Sequence, residues 1–173
     1  MTDDTTNADD RTDTEDGDET DPQSGDAPGV FHRIDEGDAY VTQGRTITDA
    51  DVMNFAGVSG DFNHIHTDEE RMADSMFGEP IAHGMFVLSA ATGLVWQNRS
   101  VEEREAVVAF YGIDELRFRK PAYVGDTIRV EMEVTETTEK PDGPGNGTVR
   151  YAMSVRNQRD ETVLSCEMIS LLR

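Results

Sequence analysis

Hydrophobic positions are almost absent from the first 29 residues, which are mostly Asp, Thr, Gly, Pro and Ser, and become frequent from Phe31 onward. A stretch with so little to bury cannot offset the entropy lost on ordering. Residues 1 to 29 are therefore predicted to be a disordered acidic tail, and residues 30 to 173 a single domain. Within the domain, Tyr40 to Ile47 alternate weakly and predict a strand. Thr48 then precedes Asp51 by the spacing of a capping box, and Val52, Phe55 and Ala56 give the short helix that follows an apolar face. Gly57 or Gly60 ends it. Thr67-Asp68-Glu69-Glu70 repeats the device and opens a second short helix through Ala73 and Met76, closed by Gly78.

From Met85 to Trp96 the residues are apolar or small on every side. Such a helix is predicted to be buried all round, and in a small domain something must wrap it. Strands that can do so follow it: Val107 to Ile113, Glu115 to Phe118, Thr127 to Val134, Val149 to Val155, and Thr162 to Leu172. The third alternates Ile128, Val130, Met132 and Val134 with Arg129, Glu131 and Glu133. Turn signals at Val124-Gly125-Asp126-Thr127, Pro141 to Gly147 and Asn157 to Asp160 divide the later strands. Helices and strands are segregated along the chain, so the predicted class is α+β, an antiparallel sheet wrapped around one long central helix.

Charge narrows the partners. The formal net charge is -21, and it is not confined to the tail. Residues 1 to 29 hold eleven acidic residues and one arginine, net -10; the remainder holds 25 acidic and 14 basic residues, net -11. Such a chain repels nucleic acid and anionic membrane surfaces, so neither is expected as a partner. Only Lys120 and Lys140 are lysines, and acidic, lysine-poor composition resembles that of proteins from salt-loving organisms, a halophilic archaeon among them. Cys166 is the single cysteine, flanked by apolar residues, and is predicted to be a buried strand residue. No basic-then-apolar leader is visible, and the apolar run from Met85 is shorter than the ~20 residues a bilayer requires. A soluble, cytoplasmic protein is expected.

Two short segments carry the candidate chemistry. In Gly60-Asp61-Phe62-Asn63-His64-Ile65-His66, an acid and two histidines fall within seven positions behind a glycine. If Gly60 lets the loop turn back, Asp61 and His66 can converge on one water, deprotonate it and pass a proton to a substrate carbon. Asn63 suits a side-chain bond to the turning backbone. In Ile81-Ala82-His83-Gly84-Met85, Gly84 opens the central helix, where free N–H groups and a partial positive charge can serve as an oxyanion hole. Each residue has a plainer reading: Asp61 as a turn or cap residue, His64 and His83 as satisfied loop histidines, Gly84 as a packing glycine. A zinc or iron site on His64 and His66 with Asp61 or His83 is the third option. No cysteine or carboxylate cluster completes a ligand set, so no metal is expected.

These two segments closely resemble the motifs of the MaoC-like, or (R)-specific enoyl-CoA hydratase, family. Phe118-Arg119-Lys120-Pro121 and Val124-Gly125-Asp126-Thr127 also look like that family's strand and turn, and the likeness runs over roughly residues 38 to 172. The resemblance implies a hotdog fold and reversible hydration of a trans-2-enoyl-CoA to an (R)-3-hydroxyacyl-CoA. It implies Asp61 and His66 as the dyad that holds and activates water, Gly84 N–H as the oxyanion donor, and Asn63 as the residue that orients the loop; His83, beside Gly84, is a second candidate support of the substrate loop. No cofactor is implied beyond the coenzyme A that the substrate carries, and at least a homodimer is. His64 stands where the family usually has proline. A hotdog acyl-CoA thioesterase and a non-catalytic acyl-CoA-binding module remain the alternative functions.

Overall fold

The computed structural model describes residues 29 to 173. The tail expected over residues 1 to 29 lies outside the described residues, apart from Gly29. A 3-10 turn, Val30–Arg33, leads into two short strands, β1 (Ala39–Val41) and β2 (Arg45–Thr46). Helices α1 (Asp49–Ser59), α2 (His64–Thr67) and α3 (Glu69–Ala73) follow, then the central helix α4 (Gly84–Asn98) and the short α5 (Val101–Ala106). Four long strands complete the chain: β3 (Val107–Phe118), β4 (Thr127–Glu139), β5 (Gly147–Arg156) and β6 (Thr162–Leu172). The sheet is antiparallel, in the order β1-β4-β5-β6-β3, with β2 also pairing β4.

Register explains the core. Met132, Met153 and Cys166 stand abreast on β4, β5 and β6, as do Val130, Val155 and Leu164, and Val134, Tyr151 and Met168. All nine are buried, and they pack with Phe86, Val87, Leu88, Ala91, Leu94 and Val95 of α4 in one cluster. The period-two alternation of β4 and β5 thus supplies an apolar floor on which the helix lies. This is the α+β hotdog architecture, and Cys166 occupies the buried strand position expected of it.

Several expectations need correction. The strand predicted over Tyr40 to Ile47 is two pieces. Val130 N–H donates to Thr42 Oγ1 at 3.0 Å, so a side chain takes a ladder bond there and the strand breaks. The second capping box does not form: Asp68, not Thr67, is the N-cap of α3, its carboxylate accepting from Arg71 N–H at 2.9 Å, with arginine at the third helical position, and Thr67 is the last residue of α2. Helix α3 ends at Ala73, short of Met76. The two apolar runs 107–113 and 115–118 are one strand, carried past Glu115 at φ +51°. Helix α5 was not foreseen, although Ser100 and Glu103 form a reciprocal capping box at legible spacing. Lastly, α4 is not enclosed on every side: Met85, Ser89 and Trp96 form an exposed stripe, because one sheet covers only part of a helix's circumference.

Candidate active site

Local chain geometry builds the site. Helix α1 ends on Gly60 in the left-handed conformation, φ +77°, with its N–H on Ala56 O at 2.8 Å. The chain then reverses, Asp61 N–H donating to Ser59 Oγ and Asn63 N–H to the Asp61 carboxylate, each at 3.2 Å. Asn63 in turn caps α2, its Oδ1 accepting from Ile65 N–H at 3.2 Å, which is the side-chain-to-backbone role expected of it. The segment expected to be loop is therefore partly a single helical turn. That turn sends His66 inward, while His64 is not among the residues that line the cavity beside it.

The second segment docks on the first. Ile81 N–H donates to Ile65 O at 3.0 Å, and Ile81 O accepts from His66 Nδ1 at 2.7 Å. A carbonyl only accepts, so Nδ1 carries the proton and the neutral ring keeps its lone pair on Nε2. That nitrogen lies 3.8 Å from Asp61 Oδ2. Two acceptors at this separation do not bond to each other, but one water can donate to both. Burial holds the His66 pKa below the usual histidine value, with His83 acting in the same direction; the bond to Ile81 and the Asp61 charge oppose it. The ring is thereby kept neutral and able to accept a proton near neutral pH.

His83 is buried, donates from Nε2 to the backbone carbonyl of Asp61 at 2.8 Å, and stacks on His66 with ring centroids 3.7 Å apart and planes at 26°. It occupies the N-cap position of α4. The first helical hydrogen bond is Val87 N–H to His83 O at 3.1 Å, so the N–H groups of Gly84, Met85 and Phe86 lie ahead of it. A Cβ on Gly84 would sit 2.6 Å from the Phe118 ring, so glycine is what lets that ring lie against the helix end.

These groups share the wall of an open cavity of about 740 Å³. Asp61, His66, His83 and Gly84 line it beside Phe55, Ile65, Met76, Phe77, Val87 and Phe118. Phe55, Met76 and Phe77 are thus pocket residues, whereas Trp96 is not among those that line it. Arg119 and Lys120 also line it, with Arg119 Nε on Ser165 Oγ at 2.9 Å and Lys120 Nζ on Glu161 Oε1 at 2.6 Å. Sequence reasoning missed the Ile81 carbonyl, which leaves no side-chain signature, and the stacking of His83 on His66.

Asp61, His66 and His83 bring one potential ligand atom each within 4.8 Å of the others, a cluster that can be tested for a metal. An ion must lie near the plane of each ligating imidazole, about 2.1 Å from its nitrogen. Rings stacked face to face at 26° have planes that meet well beyond that reach. The histidine pair fits a proton-handling role better than a ligand role.

Comparison with known proteins gives a consistent result. The family described as MaoC like domain matches residues 34–157. "Protein MaoC" of Klebsiella aerogenes is 39% identical over 132 residues, 72% of this chain, and the match spans only 38% of that protein's length. The X-ray structure of a monoamine oxidase regulatory protein from Archaeoglobus fulgius superposes with a TM-score of 0.74 at 39% identity, covering 83% of this chain and 93% of that one. An (R)-hydratase from A. caviae involved in PHA biosynthesis superposes with a TM-score of 0.65 at 27% identity, covering 81% and 98%.

Proposed function

We propose, from the premise that the chain belongs to the MaoC-like domain family, that it is an (R)-specific enoyl-CoA hydratase acting reversibly as a 3-hydroxyacyl-CoA dehydratase. The observation that carries this reading is the Asp61 carboxylate 3.8 Å from the unprotonated Nε2 of His66, on the wall of an apolar cavity that also contains the N-terminus of α4. In the reaction, a water donates to both groups. Its oxygen bonds to C3 of the trans-2-enoyl thioester while its proton passes to His66 Nε2. The π electrons move toward the thioester oxygen, where Gly84 N–H stabilises the enolate. The imidazolium, its charge balanced by Asp61, returns the proton to C2. Water is consumed whole, and no resident cofactor or metal is needed; coenzyme A arrives with the substrate.

Among the described residues no helix is long and apolar enough to cross a membrane. The reading includes a cytoplasmic location and a homodimer. Among the described residues strand β3 pairs on one side only, with β6, and it carries Phe110 and Tyr111 exposed along its length, which suits antiparallel pairing with a second copy.

Purified protein in molar potassium chloride is given crotonyl-CoA, and enoyl absorbance and free thiol are followed together. Absorbance loss without thiol, yielding a 3-hydroxyacyl-CoA, is the expected result. Thiol release would replace the hydratase by a thioesterase. Silence on crotonyl-CoA and on bulkier enoyl-CoAs would leave an acyl-CoA-binding module.

A further inference from the structure

We infer that His83 is the positioning residue that holds Asp61 and His66 in working register, an inference that rests on the hydratase reading. His83 is 3% exposed. Its Nε2–H holds the Asp61 carbonyl at 2.8 Å, one face of its ring supports His66 at 3.7 Å, and Phe55 packs against it at 5.1 Å. Gly84, the proposed oxyanion donor, is its chain neighbour. One side chain therefore joins the acid, the base and the helix end.

Packing alone does not account for a histidine here. Nδ1 is buried with no hydrogen-bond partner among the described residues, a penalty that a hydrocarbon ring of similar size would avoid. What imidazole adds is the donor on its far edge, and that donor falls on the loop that most needs fixing. Gly60 at φ +77° has nothing within 4 Å of a would-be Cβ, so no side-chain packing braces the turn at that point. Apart from His83, Asp61 is tied by its N–H bond to Ser59 Oγ and by the Asn63 N–H bond to its carboxylate, each at 3.2 Å. Releasing the carbonyl lets the carboxylate drift from His66. A displacement of about 1 Å at a reacting group is worth about 10²-fold in rate.

Two substitutions separate the roles of donor and ring. His83→Phe keeps a ring for His66 and loses the donor; His83→Gln keeps an amide N–H within reach of the Asp61 carbonyl and loses the ring. With an enoyl-CoA, kcat is expected to fall about 10²-fold in His83→Phe, with KM within about twofold, and to recover to within about tenfold of the parent in His83→Gln. Parent-like kcat in His83→Phe overturns the inference. So does equal loss in both variants accompanied by equally lowered melting temperatures, the signature of a merely structural residue. The ring tautomers are read separately by ¹⁵N-histidine NMR of the unaltered protein. His83 protonated on Nε2 and His66 on Nδ1 support the anchor even if no enoyl-CoA is turned over, in which case only the hydratase reading falls. His83 protonated on Nδ1 alone refutes the anchor whatever the activity.

Discussion

Replacing Asp61 by Asn removes one charge and almost nothing else. The amide Oδ1 can still accept from Asn63 N–H, which Asp61 now receives at 3.2 Å, so the turn survives. The side chain is 52% exposed, and no apolar core is lost. What changes is the field at His66. At the observed 3.8 Å, a unit charge stabilises an imidazolium by about 1 kcal/mol in water and about 4 kcal/mol at an effective dielectric of about 20. Solvent screening at so exposed a carboxylate favours the lower end, a factor of about 5 in rate. The amide also presents N–H donors that can occupy the Nε2 lone pair and compete with water. Together these give an expected loss of about 10²-fold in kcat/KM, within the range of general acid–base catalysis. The sign of the pH effect is fixed as well. The Asp61 charge raises the His66 pKa against the larger effect of burial, so removing it lowers that pKa further. The acidic limb of kcat/KM, where His66 becomes protonated and stops acting as a base, should move to lower pH. The assay is enoyl-CoA hydration across pH, with thermal melting as the folding control. Activity within about threefold of the parent and an unmoved acidic limb would refute the dyad.

Gly84→Ala should leave the melting temperature nearly unchanged while raising KM, because the new Cβ displaces the half-exposed Phe118 ring, 2.6 Å away, within the cavity; an unchanged KM would show that the close approach is not used. Phe110→Glu, on the exposed edge of β3, should shift a dimer to monomer in sedimentation velocity, and an unchanged assembly would place the contact elsewhere. With a net charge of -21, the fold should gain stability as potassium chloride rises from low to molar concentration; a melting temperature indifferent to salt would remove the salt-adaptation reading.

Much of the fold was written in local pattern. The alternation of β4 and β5 has period two whatever the strands pair with, so Ile128, Val130, Met132 and Val134 could be assigned to one face in advance. Thr48 and Asp51 form their capping box within a single turn, and spacing alone revealed it. Where backbone bonds are replaced by side chains from afar, pattern failed. The strand break at Thr42 depends on Val130, 88 positions away, and the open stripe on α4 depends on how far the sheet curls.

The same division holds at the site. Residue type and order nominated Asp61, Asn63, His66, His83 and Gly84, because proton transfer, turn-making and close backbone approach each demand particular side chains. Their working relationship came only from tertiary contacts. The bond from His66 to Ile81 O fixes which nitrogen faces Asp61, and the bond from His83 to Asp61 O ties two segments 22 positions apart. A sequence specifies which groups are present and how neighbours along the chain can turn. The distance between groups on different segments, and the tautomer each adopts there, are set by the packing of α4 against the sheet and of the two motif segments against each other.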